Sequence, residues 1–204
     1  KNYLQSIPKE FTAASVQNTY LLQLPMPDGT WADFDLEESP MMEAGLAAQF
    51  PTFKTYTGKG ITDPSAYLKL SITEKGMHAM ILSAKGTIYI DPYNNQTTNL
   101  VMVYDKKDFD RNGKVMNCLV GDASTNSLEL EGVFKNENTP TPEMMFGDCQ
   151  RRDFRLAMAA TGEYTTFHGG TVPLALAAIV VSVNRINGVY EKEFGVHFNL
   201  VANN

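Results

Sequence analysis

Residues Thr171 to Tyr190 read TVPLALAAIVVSVNRINGVY, and within them Leu176, Ile179, Val183, Ile186 and Tyr190 recur at helical spacing. Thr171 and Pro173 are placed to start that helix, because a threonine accepts from free N–H groups and a proline is tolerated in the first turn. The stretch predicts one apolar helix. Downstream, Val196 to Ala202 alternates as a strand does, and upstream Phe154 to Thr161 offers a first strand. Strand, helix and strand make a βαβ unit. Intrinsic preference opposes it at one point: Arg155-Leu156-Ala157-Met158-Ala159-Ala160 favours a helix, and only burial within a sheet overrides that.

Working back toward the N-terminus, the period changes. Gly132 to Asp148 carries Asn136, Asn138, Thr139, Pro140, Thr141 and Pro142 with little to bury, which is a linker signal. Before it, short β-prone runs alternate with turns. Tyr20 to Leu24, the Pro25 to Gly29 turn and Thr30 to Leu36 read as a hairpin. Tyr67 to Ile72, Met77 to Leu82, Thr87 to Ile90 and Leu100 to Tyr104 extend a meander, with turn signals at Gly76, Lys85-Gly86 and Asn112-Gly113. Met41 to Phe50 predicts a short helix or an irregular connection. The fold class is therefore α/β, or α+β overall: an antiparallel β-rich domain over residues 1–150, then an incomplete βαβ unit over 151–204.

Composition narrows the partners. Hydrophobic residues at 43% and charged residues at 20% are ordinary for a folded chain. A net charge of −6 supplies no basic stripe to neutralise phosphates, so nucleic acid is not an expected partner. The longest uninterrupted apolar run, Val172 to Val181, falls well short of the roughly 20 residues a membrane span requires. No charged-then-apolar leader opens the sequence at Lys1, so a secretory signal is either absent or was removed before Lys1.

Several stretches resemble bacterial reprolysin-like metallopeptidases, a metzincin family. Phe154-Arg155-Leu156-Ala157-Met158-Ala159-Ala160-Thr161-Gly162-Glu163-Tyr164, Phe167 to Val172, Asn184-Arg185-Ile186-Asn187-Gly188-Val189-Tyr190-Glu191 and Leu200 to Asn204 resemble the start of the catalytic domain. Pro27 to Thr30, Glu38-Ser39-Pro40, Phe50-Pro51, Lys54-Thr55-Tyr56, His78 to Leu82 and Tyr89 to Tyr93 resemble the propeptide. The resemblance implies a secreted or cell-surface zymogen whose propeptide aids folding and holds the protease latent. It further implies zinc in the full-length parent, with none in this fragment, and as partners the rest of its own catalytic domain and the parent's protein substrates. A non-catalytic extracellular β-rich binding module is the rival reading.

Zinc catalysis in that family uses an HExxHxxGxxH helix, two histidines one turn apart with a third beyond a glycine turn. The histidines here, His78, His168 and His197, lie far apart, and none is followed by glutamate. No catalytic residue and no zinc site is therefore expected within these 204 residues. His78 reads as a half-buried strand residue, His168 as a loop residue near a helix start, and His197 as one side of an alternating strand. Asp108 to Gly113 imitates half of a calcium loop, but position twelve would be Leu119 where a bidentate glutamate is needed, so a turn is expected instead.

By resemblance to cysteine-switch propeptides, Cys118 in Val115-Met116-Asn117-Cys118-Leu119-Val120 is the candidate inhibitory zinc ligand of the full precursor, although Leu119 stands where the family has glycine. A buried free thiol and a disulfide to Cys149 remain open. Arg151-Arg152 is the candidate processing site. A lone βαβ unit lacks flanking strands, so Leu176, Ile179, Val180 and Val183 are expected to want cover, and residues 154–204 to self-associate.

Overall fold

The computed structural model describes residues 2–94, 97–109 and 150–202. Lys1–Phe109 and Arg151–Asn204 belong to one compact unit. Its centre is a curled antiparallel meander of seven strands in chain order: β1 (Leu21–Pro25), β2 (Trp31–Glu38), β3 (Lys54–Gly60), β4 (Tyr67–Thr73), β5 (Gly76–Ser83), β6 (Gly86–Asn94) and β7 (Thr97–Asp105). Two short helices, α1 (Asn2–Gln5) and α2 (Ala13–Gln17), precede it, and α3 (Ala44–Gln49) lies between β2 and β3.

The hairpin and meander expected from Tyr20 to Tyr104 form as β1–β2 and β4–β7, and of the two alternatives expected for Met41 to Phe50, a short helix or an irregular connection, the helix forms as α3. Alternation drives the first core. Leu68 pairs with Ile81 and Leu70 with Ala79, and with Leu24, Phe34, Leu36, Tyr56 and Ile90 they bury one face of the sheet. Ile7 from the N-terminal segment joins that core. Strand β3 is the one the sequence did not reveal. Its Gly58 sits where a Cβ would stand 2.9 Å from Leu36 Cδ2 and 3.0 Å from Leu68 Cδ2, so the close packing of β2 and β4 side chains over it requires a glycine.

The C-terminal segment is a βαβ unit. Strand β8 (Arg152–Leu156) pairs in parallel with β9 (Val196–Leu200), and between them come α4 (Gly162–Phe167) and the long helix α5 (Val172–Phe194). The first strand lies earlier than Phe154 to Thr161: it ends at Leu156, and residues 157–160 adopt neither strand nor helix. Thr171 caps α5 by accepting from Leu174 N–H, Pro173 stands in its first turn, and Gly195 at φ 64° ends it in the left-handed region that favours glycine.

At 23 residues α5 is longer than the Val172 to Val181 run suggested, and by length and composition it suffices to cross a membrane. Most of its apolar stretch is instead buried inside the fold. Leu176, Ile179, Val180 and Val183 pack with Met41, Leu46, Phe53 and Leu200 in a second core. The cover expected to be missing is thus provided by the α3 region and β9 of the same chain. Met41 O accepts from Leu200 N–H, and Leu200 O accepts from Glu43 N–H, which ties β9 to the segment ahead of α3.

Candidate functional site

Helix α5 lies on β4 and β5 with a polar face, and the contact is made by the second face of the sheet. Along β4 the even residues enter the apolar core while Tyr67, Lys69 and Ser71 point the other way. Alternation of this kind ordinarily leaves the polar set in water. Here Lys69 is 1% exposed and Ser71 2% exposed, because Asn184, Gly188 and Glu191 of α5 cover them. Those three recur three or four residues apart and form one stripe on the helix. At Gly188 a Cβ would meet Met80 Cε at 2.7 Å and Lys69 Cγ at 2.9 Å, so the glycine permits the helix to approach.

The first polar cluster centres on the Glu191 carboxylate. Lys69 Nζ lies 2.6 Å from Oε2, Tyr67 donates its hydroxyl proton to the same oxygen, and His197 Nδ1 lies 2.5 Å from Oε1. Burial alone would raise the Glu191 pKa. The His197 hydrogen bond, the Lys69 charge and the Tyr67 hydroxyl outweigh it and hold the carboxyl at about 2. Burial pushes Lys69 below the usual lysine range, with the Glu191 charge opposing, and burial followed by the Glu191 charge pushes Tyr67 well up. Asn184 completes the contact by donating to Leu70 O at 3.1 Å and to Ser71 Oγ at 2.9 Å.

A second cluster centres on Asp91 of β6. Its Oδ1 meets His78 Nδ1 at 2.7 Å and accepts from Arg185 Nη2, and its Oδ2 accepts from Tyr104 at 2.8 Å. Arg185 also lies over the Tyr89 ring at 4.9 Å. Burial would raise the Asp91 pKa, yet the His78 bond, the Arg185 charge and the Tyr104 bond bring it to about 2. Ser71 and His78 face each other across β4 and β5, so serine, histidine and aspartate stand in sequence on one sheet face. They do not form a nucleophilic relay. Among the described residues His78 Nε2 has no hydrogen-bond partner, and Ser71 Oγ is sealed beneath Asn184.

Among the described residues no three His, Cys, Asp or Glu side chains gather as a metal site. The two histidine–carboxylate pairs each offer two donors, and each has a cation against the carboxylate, Lys69 in one and Arg185 in the other. Zinc wants three or four protein ligands and would be repelled by those cations, so neither pair fits it. His168 follows α4 as its cap, next to the Lys75 ammonium, and joins neither cluster.

Of the candidate site residues, Arg151 and Arg152 are described. Arg151 pairs with Glu10 and Asp153, and Arg152 opens β8. Cys118, Cys149 and most of the Asp108 to Leu119 loop lie outside the described residues. Sequence reasoning gave Tyr67, Lys69, Asp91, Tyr104, Arg185 and Glu191 no role. The readable signal was the stripe Asn184, Gly188 and Glu191, polar or small positions at helical spacing on an otherwise apolar helix.

The model of the reprolysin-like members of metallo-peptidase family M12B matches residues 150–204, about a quarter of the chain. No curated protein matches the chain. The matched residues include β8, α5 and β9, and therefore every α5 side chain that the sheet engages.

Proposed function

Starting from that C-terminal match to a metallopeptidase family, we propose that the chain is the N-terminal part of a secreted zinc metalloendopeptidase precursor, with the seven-stranded sheet as its propeptide. The observation that carries this is the Lys69–Glu191 pair. It joins a buried cation of the sheet to a buried carboxylate of the family-matched segment, so each part satisfies a charge the other would leave stranded. A sheet that presents Tyr67, Lys69 and Ser71 to α5 can template the helix during folding and hold the βαβ unit in place afterwards. The zinc-binding helix belongs to sequence beyond Asn204 in this reading, and these residues do not themselves perform hydrolysis. Cys118 is the proposed ligand that keeps the parent's zinc from water.

The test uses the reading frame extended past Asn204. The expected outcome is an HExxHxxGxxH motif, chelator-sensitive casein hydrolysis after the sheet is removed, and little hydrolysis before. A frame without that motif, or a precursor as active before removal as after, overturns the reading in favour of a binding module. Within the same precursor, Cys118→Ala is expected to give activity before processing while Cys149→Ala is not, and equal behaviour of the two variants removes the zinc-ligand role.

A further inference from the structure

We propose that the peptide bond between Arg151 and Arg152 is where a basic-residue-specific endopeptidase separates the sheet from the βαβ unit, and that the N-terminal strap of residues 7–12 is a clasp masking it. The proposal rests on the reading of the sheet as a removable propeptide. Such a protease needs the arginine guanidinium before the cut bond in an acidic pocket and the bond itself in an extended, unpaired chain. Both are occupied here. Arg151 Nη1 donates to Glu10 Oε1 at 2.7 Å, its Nε stands 3.0 Å from Asp153 Oδ1, and its guanidinium lies 4.8 Å from the centroid of the Phe11 ring. The N–H of the target bond, on Arg152, donates to Gly195 O at 2.7 Å.

The strap is fixed on its other side. Ile7 is buried in the first core, Glu38 donates its N–H to Pro8 O, and Glu10 donates its N–H to Glu38 O, each at 2.8 Å. Phe11 adopts φ 61°, a left-handed backbone that a bulky residue rarely takes, while the residue is 77% exposed. A solvent-facing ring held in that conformation finds its contact in the Arg151 guanidinium, which marks the strap as a clasp rather than a passive tail. Release of Glu10 and Phe11 frees the Arg151 side chain while Ile7 stays in the first core, and the Arg152 N–H then leaves Gly195 O by local fraying at the start of β8.

In the cut, water adds across the amide. The Arg151 carbonyl carbon takes the hydroxyl, the C–N bond breaks, and the Arg152 nitrogen takes the water's remaining proton and then the one the new carboxyl releases, leaving a carboxylate and an ammonium. That ammonium keeps a donor for Gly195 O, so β8 stays paired with β9 after separation.

Limited digestion of the 204-residue chain by trypsin, with fragments identified by mass, tests this. Lys85, whose side chain is 85% exposed in the turn between β5 and β6, supplies an internal reference cut. The expected result is that cutting after Arg151 is slower than after Lys85. Glu10→Gln or Phe11→Ala should speed it by roughly 3- to 10-fold with the Lys85 rate unchanged, as cleavage follows the open population. An Arg151 cut as fast as the Lys85 cut, an unchanged ratio in both variants, or equal acceleration at both sites overturns the clasp. Because the readout is a cut and not peptidase activity, a latent precursor that is cut elsewhere overturns this proposal alone and leaves the propeptide reading standing.

Discussion

The two faces of strand β4 are equally buried and held by different means. Leu68 and Leu70 meet Ile81 and Ala79 of the next strand and a core drawn mostly from their own sheet, with Ile7 added from the N-terminal segment. Lys69 and Ser71 reach the same burial only when α5, more than 100 residues later, lies over them. The apolar face stabilises the sheet as such, through area removed from water. The polar face recognises one partner, because an ammonium sealed beside a carboxylate tolerates no substitute lacking that charge.

The sharpest way to break that comparison is Lys69→Ala. It leaves Glu191 buried without its cation, so the expected loss is about 3–5 kcal/mol of unfolding free energy. Adding Glu191→Gln should recover most of that loss, since the stranded charge is then gone. Denaturant unfolding of the two variants measures both steps. Equal stability of the single and double variants would show that the pair is packing rather than a charge match.

Acid offers a gentler probe. Glu191 falls from an ordinary 4.5 to about 2 in the folded chain, so its contribution is present above about 4.5 and is lost as pH falls toward 2. The shift corresponds to on the order of 3 kcal/mol before it is discounted for the part of the carboxylate that water reaches. Asp91, moved from 3.8 to about 2, acts in the same direction over a slightly lower range. Thermal melting followed from pH 6 to pH 2 should steepen below about 4.5, and Glu191→Gln should flatten the curve more than Asp91→Asn. Equal flattening would mean that the two carboxylates are equally coupled to folding.

The legible parts of the molecule are those whose partners lie close in sequence. Pro25 to Gly29 announces the first hairpin, alternation from Tyr67 to Ile72 announces β4, and Leu176 to Tyr190 announces α5. Strand β3 escaped because KTYTGKG carries two glycines, and its Gly58 is explained only by Leu36 and Leu68 folding over it from both neighbours. Strand β8 began and ended earlier than expected because pairing with Val196 to Leu200, a long-range contact, sets its register. The site was least legible. A lysine in an alternating strand carries the same pattern whether its face meets water or a helix, and no local feature of Tyr67 to Thr73 reveals which.

The smallest expected effect sharpens the contrast between the two polar clusters. Every partner of Asp91 except Arg185 comes from the sheet itself: His78 from β5 and Tyr104 from β7. Glu191 has no such reserve within the sheet's absence, because Lys69 and Tyr67 are the strand's contribution and only His197 comes from its own segment. Arg185 is also 28% exposed at its side chain, against 1% for Lys69, so its charge is partly answered by water. Arg185→Met should therefore cost only about 1 kcal/mol, the range of a partly solvated pair with some stem packing retained over Tyr89. The Asp91 carboxyl should titrate higher than before, since the Arg185 charge and hydrogen bond that lower it are gone. Carbon-detected NMR titration of Asp91 alongside a thermal melt checks both halves. A loss as large as that of Lys69→Ala would place the two clusters on the same footing, and α5 would then be held along its length by charge rather than anchored at the Glu191 end.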